Sequence, residues 1–500
     1  MNATQYREIA KSVVDEIADY EEGIALRDVV SKVEPGYLKG LLPGTAPMEP
    51  DSFDQIRADV REKIMPGLTQ WSSPKFMAFF PCGRSYPADI AEMYSNAFTG
   101  AFFNWVCSPA VTELETIVLD WLAQALGLPQ CFFSSTQGGG VIHGSASEAI
   151  LLSMVAARKK ILGEMTAHMP EGSQKDEAQR RLQCRLVALG SSGVHSSTKK
   201  AANIIGVQFE TVPAAAEHGY SMRGDALANK MEELEARGLQ PFFLTATLGT
   251  TDVCAVDDFQ GIADALAQHP QPEIWVHVDA AYAGSALLLE QHQHLAKPFS
   301  AFHSFNFGPH KWMLTTFDCS VTFYKSRLEL TESLSVNPPY LKNKFTDQAC
   351  VTDYRDWQIS LGRRFRSLKL WFVMRSYGIS GLRKHLLNGI TLAEKLEQLL
   401  WQREDLFTIF TPAQFALVTV RVKGADEHEV NERTKKLFNN LCQAGEFYLT
   451  STVVDGKFAI RICTGVAAVK EEHVNRLCEV FIMAATKLML LEDITALSVS

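Results

Sequence analysis

Short apolar runs alternate with helical patterns through the middle of the chain. From about residue 185, the runs RLVALGS, VQFETVP, PFFLTATLGTT and EIWVHVDAAYAG are rich in β-branched and aromatic residues, and helical stretches such as MRGDALANKMEELEARG separate them. This alternation predicts a mostly parallel β-sheet that is covered by helices. Ligands of such sheets bind beyond the carboxyl ends of the strands. We therefore expect functional residues directly after the apolar runs.

The two ends of the chain have different patterns. The segment YREIAKSVVDEIADYEE has helical periodicity, and a connection rich in proline and glycine follows it. This pattern predicts an N-terminal helical arm that packs on the main domain or on a second subunit. Near the C-terminus, EFYLTSTVV and KFAIRICTG indicate strands of a small α+β domain. We expect an arm at residues 1–85, a large α/β domain at 86–380 and a small domain at 381–500.

Composition and charge exclude several classes of function. The net charge is -9, and the sequence has no lysine- or arginine-rich block of the size that nucleic acid binding requires. No apolar segment is long enough to span a membrane. The ten cysteines form no C-x-x-C pair, which favours free thiols in a reducing compartment over zinc sites or disulfides. The sequence predicts a soluble protein without a metal site, and the cytosol is its expected location.

Four stretches place chemically useful residues in order along this pattern. Lys311 lies between apolar segments in SFNFGPHKWMLTTFDCS, where partial desolvation would free its amine to form a Schiff base. Asp279 ends a strand-like run, so it either caps the next turn or pairs with a cation such as a protonated pyridine nitrogen. The small residues at the helix start near Ala146 and Ser147 form either a plain tight turn or a phosphate cradle. His195 follows RLVALGSSGV and is placed to stack on a ring. Together these features predict a site for pyridoxal phosphate.

Longer motifs extend this constellation. These motifs are GSASEA, VHSS, ATLGTT, HVDAAYAG, FNFGPHKW and DYRDWQISLGRRFRSLKLW, with MPGLTQWSSPKF near the N-terminus. In all of them the chain resembles the group II pyridoxal-phosphate decarboxylases. Within that group it is similar to the aromatic L-amino acid decarboxylases, over nearly the whole chain. The resemblance implies the pyridoxal-phosphate-dependent transferase fold, which is the aspartate aminotransferase fold type I. It also implies a homodimer with the active site at the subunit interface and the N-terminal arm wrapped on the partner.

The resemblance implies roles for individual residues. Lys311 would carry pyridoxal phosphate as a Schiff base, Asp279 would keep its ring nitrogen protonated, and His195 would stack on its ring. The residues implied to contact the cofactor are Ala146, Ser147, His195, Thr251, Asp279, Ala281, His310 and Lys311. The residues implied to bind an aromatic substrate are Trp71, Phe80, Pro81, Phe103, Trp105 and Gly362, with Trp105 assigned to the partner subunit. Tyr340, in a long polar connection, matches a mobile-loop tyrosine that would protonate Cα of the substrate after carbon dioxide has left, with His195 as a relay.

The implied reaction is decarboxylation of an aromatic L-amino acid to its amine. Gly362 matches a position where relatives that accept indoles carry glycine, so we expect tryptophan to give tryptamine. We expect 5-hydroxytryptophan to be accepted as well, with DOPA, tyrosine and phenylalanine behind. Relatives that are oxygen-dependent aldehyde synthases typically carry phenylalanine at the position of Tyr340. The tyrosine therefore favours the amine, and an aldehyde synthase is the alternative.

Several features disfavour other functions, and four positions depart from the family pattern. The aromatic pocket wall disfavours glutamate or cysteine sulfinate as the substrate. A catalytically silent cofactor-binding or interaction protein is disfavoured because Asp279, His195 and Tyr340 are all present. The departures are glycine and histidine where many members carry asparagine and an acid, and phenylalanine and cysteine where many carry tyrosine and threonine. They fall at Gly308, His303, Phe79 and Cys82.

Overall fold

The computed structural model describes residues 1–269, 272–336 and 351–499. Contacts within the chain divide it into two compact units. The large unit comprises residues 82–393 and 413–417, and the small unit comprises the remaining segments, which begin at residues 1, 394 and 418. The division into three domains that we expected from the sequence stays a prediction.

A seven-stranded sheet forms the centre of the large unit. Its strands are β1 (Gly139–His143), β2 (Leu186–Ser191), β3 (Gln208–Val212), β4 (Gln240–Thr247), β5 (Trp275–Asp279), β6 (Ser304–Phe307) and β7 (Ser320–Tyr324). They are ordered β1-β7-β6-β5-β4-β2-β3. Strands β2 to β6 run parallel to their neighbours, and β7 runs antiparallel to both β6 and β1. The prediction of a mostly parallel sheet is confirmed.

Helices cover the sheet and form the N-terminal region. They are α1 (Ala3–Glu22), α2 (Tyr37–Leu41), α3 (Phe53–Asp59), α4 (Tyr86–Ala97), α5 (Pro109–Ala125), α6 (Ala146–Met165), α7 (Ser173–Gln183), α8 (Ser196–Ile205), α9 (Gly224–Ala236), α10 (Phe259–Gln268), α11 (Pro309–Trp312), α12 (Arg327–Leu334), α13 (Arg366–Trp401), α14 (Glu427–Ala444) and α15 (Glu471–Val499). Helix α6 packs across β1 and β4 to β7. In the described part of the chain, no helix is long and apolar enough to cross a membrane.

The two faces of the large sheet carry different side chains. One face is apolar and includes Val276, Val278, Phe305 and Phe307, all buried. The opposite face carries buried polar groups in register, because side chains alternate between faces along each strand. Helices α6 and α8 lie on this polar face, since Ser153 of α6 bonds the Tyr324 hydroxyl and Thr198 of α8 bonds Thr245. The polar face is therefore internal.

The small unit contains a four-stranded sheet, ordered β10-β11-β9-β8. Its strands are β8 (Phe407–Gln414), β9 (Leu417–Val422), β10 (Thr450–Val454) and β11 (Lys457–Cys463). Strands β10 and β11 form a hairpin whose two turn residues, Asp455 and Gly456, have φ values of 49° and 74°. Such values suit the tight turns that match the twist of antiparallel strands. The strands expected in the C-terminal part are therefore present.

Two elements differ from the expectation. A strand, β1, occupies the segment where the glycine-rich sequence predicted only a turn. Its glycines allow close packing, because a Cβ at Gly140 would lie 2.9 Å from the Phe323 ring. Helix α4 occupies a stretch rich in aromatic residues, in which no helix was predicted from the sequence. Ser85 caps this helix, and Pro87 lies in its first turn, which is a helix-start signal that the surrounding aromatic residues obscured.

Asp257, between β4 and α10, is a buried carboxylate in the large unit. Its two oxygens accept hydrogen bonds from the backbone N–H groups of Met222 at 2.8 Å and Thr247 at 2.7 Å. Burial is the largest influence on it and raises the pKa of Asp257 to about 7. A raised pKa in the folded state gives stability that is present at acidic pH and is lost as pH rises towards 7.

We expect Asp257→Asn to remove this pH dependence. The NH2 group of asparagine cannot accept a hydrogen bond as the hydroxyl oxygen of a protonated carboxyl can, so the variant should be less stable at about pH 3, where the wild-type carboxyl is mostly protonated in both states. As pH rises from about 4 to about 7, its melting temperature should approach that of the wild type. Melting curves from about pH 3 to about pH 7 measure the difference. Asp264→Asn, an exposed carboxylate of helix α10, is the control and should follow the wild type; a constant difference for Asp257→Asn would contradict the expectation.

Candidate active site

The segments after β5 and β6 are tied together at the carboxyl edge of the large sheet. The N–H of Gly308 donates to the carbonyl of Ala281 at 3.0 Å, and the N–H of Lys311 donates to the carbonyl of Gly308 at 2.9 Å. The Asp279 carboxylate accepts from the N–H of Ala281 at 3.0 Å. Hydrogen bonds therefore connect the segments that carry Asp279 and Lys311.

Asp279 is an almost fully buried acid at the end of β5, with 4% of its surface exposed. Its hydrogen bond with the Ala281 N–H caps the turn that follows the strand. This capping agrees with one of the two interpretations of the sequence. One hydrogen bond from a neutral N–H compensates only part of the charge of a buried carboxylate. The second interpretation, pairing with a cationic ring nitrogen, is therefore compatible with the first.

His310 gives the lysine segment a fixed, neutral neighbour. Its Nδ1 accepts from the N–H of Cys319 at 2.9 Å, so the proton of the neutral ring is on Nε2. Burial first, and then the charge of Lys311, lowers the pKa of His310 to about 4. A Cβ at Gly308 would lie 2.9 Å from the Ala281 carbonyl and 3.3 Å from this Nε2. The glycine therefore allows the two segments to approach more closely than asparagine would.

Helix α6 begins with the small residues that the sequence singled out. Ser145 caps it by accepting from the N–H of Glu148 at 3.3 Å, and the Glu148 carboxylate accepts from the N–H of Gly144 at 3.0 Å. Helix geometry leaves the N–H groups of Ala146 and Ser147 without carbonyl partners inside the helix. They lie at the positive end of a helix of 20 residues. This end can bind a phosphate group.

His195 and the threonines after β4 lie in neighbouring segments. His195 caps α8, and its Nδ1 is 2.7 Å from the Ser197 hydroxyl and accepts from the Ser197 N–H at 3.3 Å. The neutral ring therefore carries its proton on Nε2. Thr250 is buried and accepts from the N–H of Ala255 at 3.0 Å, whereas Thr251 is partly exposed. Thr251, the predicted contact, is thus the more accessible of the two hydroxyls.

These donors and acceptors fit pyridoxal phosphate. The helix end can hold the phosphate, the buried Asp279 can face the ring nitrogen, and the partly exposed Lys311 can supply the amine. In the described residues, no group of three histidine, cysteine, aspartate or glutamate side chains could hold a metal ion. The helix end, Asp279 and Lys311 together match an organic cofactor with a phosphate and a basic ring nitrogen.

The predicted substrate residues fall in both compact units. In the large unit, the Phe103 carbonyl accepts from the N–H of Arg355 at 3.0 Å, and the N–H of Trp105 donates to Asp353 at 3.0 Å. These bonds join the loop of Phe103 and Trp105 to the segment that leads to Gly362. In the small unit, the Trp71 ring stacks on Phe79 at 5.7 Å, and Arg461 lies 5.3 Å from the centre of the Phe80 ring. Pro81 ends this segment of the small unit. Tyr340 lies outside the described residues.

A family model and several relatives match this chain. The pyridoxal-dependent decarboxylase conserved domain matches residues 35–423. The chain belongs to the pyridoxal-dependent decarboxylase family. An aromatic-L-amino-acid decarboxylase of Cavia porcellus is 41% identical over 98% of this chain and 100% of that protein. A phenylacetaldehyde synthase of Arabidopsis thaliana is 42% identical over 95% of this chain and 94% of that protein. The structure of Oryza sativa TDC with PLP and tryptamine has a TM-score of 0.92 and 36% identity, covering 98% of this chain and 99% of that chain.

Membership confirms the main expectations from the sequence. This decarboxylase is a carboxy-lyase that uses pyridoxal phosphate, and the expected fold type is confirmed by the structural match. The roles of individual residues stay predictions, because similarity over whole chains does not test them.

The sequence reasoning missed a buried ion pair in this decarboxylase. Arg363, next to Gly362, donates to Glu115 of α5 at 2.7 Å, and both side chains are about 1% exposed. Glu115 also accepts from the N–H of Ile142 in β1 at 2.9 Å, and Arg363 lies 4.5 Å from the centre of the Tyr354 ring. The pair therefore anchors the Gly362 loop to the sheet. Glu115 itself is the feature of the sequence that could have indicated the pair. It occupies a core position of the α5 pattern between Val111 and Val118, and a buried carboxylate requires a cation.

We expect Glu115→Ala to be strongly destabilising. It leaves the Arg363 charge buried without its partner, which should lower the free energy of unfolding by about 3–5 kcal/mol. Urea denaturation measures this loss. Glu177→Ala removes the exposed partner of Arg181 and should change the free energy by less than about 0.5 kcal/mol. The double variant Glu115→Leu, Arg363→Met should recover most of the loss; equal losses for the double and single variants would show that the unpaired charge is not the cause.

Proposed function

We propose that this decarboxylase converts aromatic L-amino acids to arylalkylamines, and that L-tryptophan, giving tryptamine, is the preferred substrate. The observation that carries the proposal is the hydrogen-bonded link from Asp279 through Ala281 and Gly308 to Lys311. Two relatives support the substrate class. The Cavia porcellus relative is an aromatic-L-amino-acid decarboxylase, and the Oryza sativa structure contains tryptamine.

Each residue of the site has a distinct task in this reaction. Bound pyridoxal phosphate supplies the electron sink that makes loss of carbon dioxide possible. Lys311 would hold the cofactor through its amine until the amine of the substrate takes that position. Asp279 would hold a proton at the ring nitrogen through a charge-assisted hydrogen bond, and the N–H groups of Ala146 and Ser147 would bind the phosphate. His195 would stack on the ring.

The final step delivers a proton to the substrate carbon that has lost carbon dioxide. We assign this proton to Tyr340, with His195 as a relay. The Nδ1 of His195 accepts from the N–H of Ser197, so its Nε2 is the atom that can donate. Protonation by a tyrosine in this role gives the amine as the product.

Gly362 supports acceptance of a fused ring. A Cβ at this position would have no heavy atom within 4 Å among the described residues, so the loop has open space beside its backbone. Arg363, the next residue, is held by Glu115, which fixes the position of this space. An indole needs more room than a phenol, and the absence of a side chain provides it.

An oxygen-dependent aldehyde synthase is the second candidate function. The Arabidopsis thaliana phenylacetaldehyde synthase is 42% identical to this chain, so the same fold and cofactor do not separate the two reactions. The products separate them, because aldehyde formation consumes oxygen and releases ammonia and hydrogen peroxide. Tyr340 favours the amine.

Lys311→Ala tests the site. We expect the variant to lose the visible absorption of the lysine-bound cofactor and to release carbon dioxide from tryptophan at least about 1000-fold more slowly, since the amine that binds the cofactor is absent. Lys325→Ala, an exposed lysine of the same region, should retain both properties. Absorption spectra and carbon dioxide release are the measurements. Normal decarboxylation by Lys311→Ala would refute the assignment.

A substrate panel tests the specificity. Among tryptophan, 5-hydroxytryptophan, DOPA, tyrosine and phenylalanine, tryptophan should have the highest kcat/KM, and no substrate should yield peroxide. Gly362→Ser should reduce kcat/KM for tryptophan by about tenfold relative to tyrosine, because the added side chain occupies the space for the fused ring. Peroxide at the level of carbon dioxide release would instead support the aldehyde synthase, and a tyrosine preference in the wild type would refute the tryptophan proposal.

We also propose a cytosolic homodimer. Helix α1 exposes Tyr6, Val14 and Ile17, which a partner subunit would cover. The cysteines within the described residues are free thiols, in accord with a reducing compartment. Sedimentation velocity of the purified protein distinguishes a dimer from a monomer.

A further inference from the structure

The imidazole of His195 meets two donors of Ser197 at a single nitrogen. Its Nδ1 accepts from the Ser197 N–H at 3.3 Å and lies 2.7 Å from the Ser197 hydroxyl oxygen. A backbone N–H can only donate, so Nδ1 carries a lone pair, and the hydroxyl must also donate to it. The hydroxyl makes the shorter of the two contacts and is therefore the stronger restraint on the ring.

The start of helix α8 holds Ser197 in a fixed position. Ser197 is 4% exposed. The next residue, Thr198, is fully buried, and its hydroxyl donates to the hydroxyl of Thr245 in β4 at 3.0 Å. The N–H of Thr198 donates to the carbonyl of His195 at 3.1 Å. These bonds anchor the first turn of α8 to the sheet, so the Ser197 hydroxyl is a rigid donor.

The His195 ring, in contrast, is exposed. Rotation of an imidazole about χ2 has two broad minima, which exchange the positions of Nδ1 and a ring carbon. Only one of these orientations places a nitrogen against the Ser197 hydroxyl. Which nitrogen of a neutral histidine carries the proton is set by the hydrogen bond that the other nitrogen makes. The hydroxyl therefore selects the orientation of the ring and also keeps the proton on Nε2.

We propose that Ser197 is a positioning residue that acts through His195, by holding the ring with Nε2 as its proton-bearing nitrogen. The inference rests on the proposed role of His195 as the relay that helps to protonate Cα of the substrate. Without the hydroxyl, only the longer bond from the N–H would restrain the ring. Fewer rings would then present Nε2–H correctly. The step after loss of carbon dioxide should therefore depend on Ser197, and cofactor binding should not.

Three matched variants separate this role from a general effect on α8. Ser197→Ala removes the hydroxyl and keeps the N–H that caps the helix. Ser197→Thr keeps a hydroxyl at the same position and should restore the function. Ser196→Ala is the control, because Ser196 is exposed and lies in the same helical turn. Melting curves verify that each variant is folded, and all three should bind pyridoxal phosphate within about twofold of the wild type.

A single-turnover measurement is decisive. Holoenzyme in excess is mixed with the aromatic amino acid that has the highest kcat/KM, and carbon dioxide and amine are quantified over time. Ser197→Ala should release carbon dioxide at the wild-type rate but form the amine about fivefold more slowly, as expected for the loss of one neutral hydrogen bond. Ser197→Thr and Ser196→Ala should match the wild type in both products. Equal slowing of both products by Ser197→Ala, or unchanged amine formation, would overturn the inference.

His195→Asn shows which claim fails. Asparagine is a good helix cap and can accept from the Ser197 N–H, so this variant removes the ring without uncapping α8. It should slow amine formation, and adding Ser197→Ala should have no further effect, since the two residues act as one unit. Wild-type amine formation by His195→Asn would refute the proposed role of His195. If His195→Asn is slow but Ser197→Ala slows it about fivefold again, only the inference about Ser197 is overturned.

Discussion

Burial of a charged carboxylate at the end of β5 is the constraint on which the active region depends. Asp279 is 4% exposed, and burying an acid is unfavourable unless hydrogen bonds or a cation compensate its charge. Local structure meets part of this requirement through the N–H of Ala281. We propose that the ring nitrogen of bound pyridoxal phosphate supplies the cation. In that proposal, folding and catalysis depend on the same buried charge.

The Glu115–Arg363 pair meets the same physical requirement differently. Both charges come from the chain, and the pair is complete without a ligand. Its task is to hold the Gly362 loop against β1, through the additional bond from Ile142 to Glu115. One buried acid is therefore neutralised by an arginine of the chain and fixes a loop, whereas we propose a bound cofactor as the partner of the other. Both acids are almost fully buried, so they differ in the partner that compensates the charge and not in their burial.

Local patterns predicted the sheet and the positions of Asp279 and Lys311, because strand ends and apolar flanks are visible in the order of residues. The strand β1 was missed because its glycines lack the side chains that signal a strand, although Gly140 packs against Phe323. The pair of Glu115 and Arg363 joins residues that are 248 positions apart, and one sequence does not reveal such contacts. The alignment of Thr247 and Asn306 with Asp279 on neighbouring strands depends on strand register, which is likewise a property of the folded sheet.

The two unlike faces of the large sheet also specify how it assembles. Strand β6 has only four residues, Ser304–Phe307, in which polar and aromatic side chains alternate. A shift of β6 by one residue would turn Phe305 and Phe307 towards the carboxylate and push Asn306 into the apolar layer, since every side chain changes face in such a slip. Side chains of β6 would then meet unlike neighbours on both faces of the sheet. The two unlike faces thus specify the register of β6 without any contribution from the cofactor.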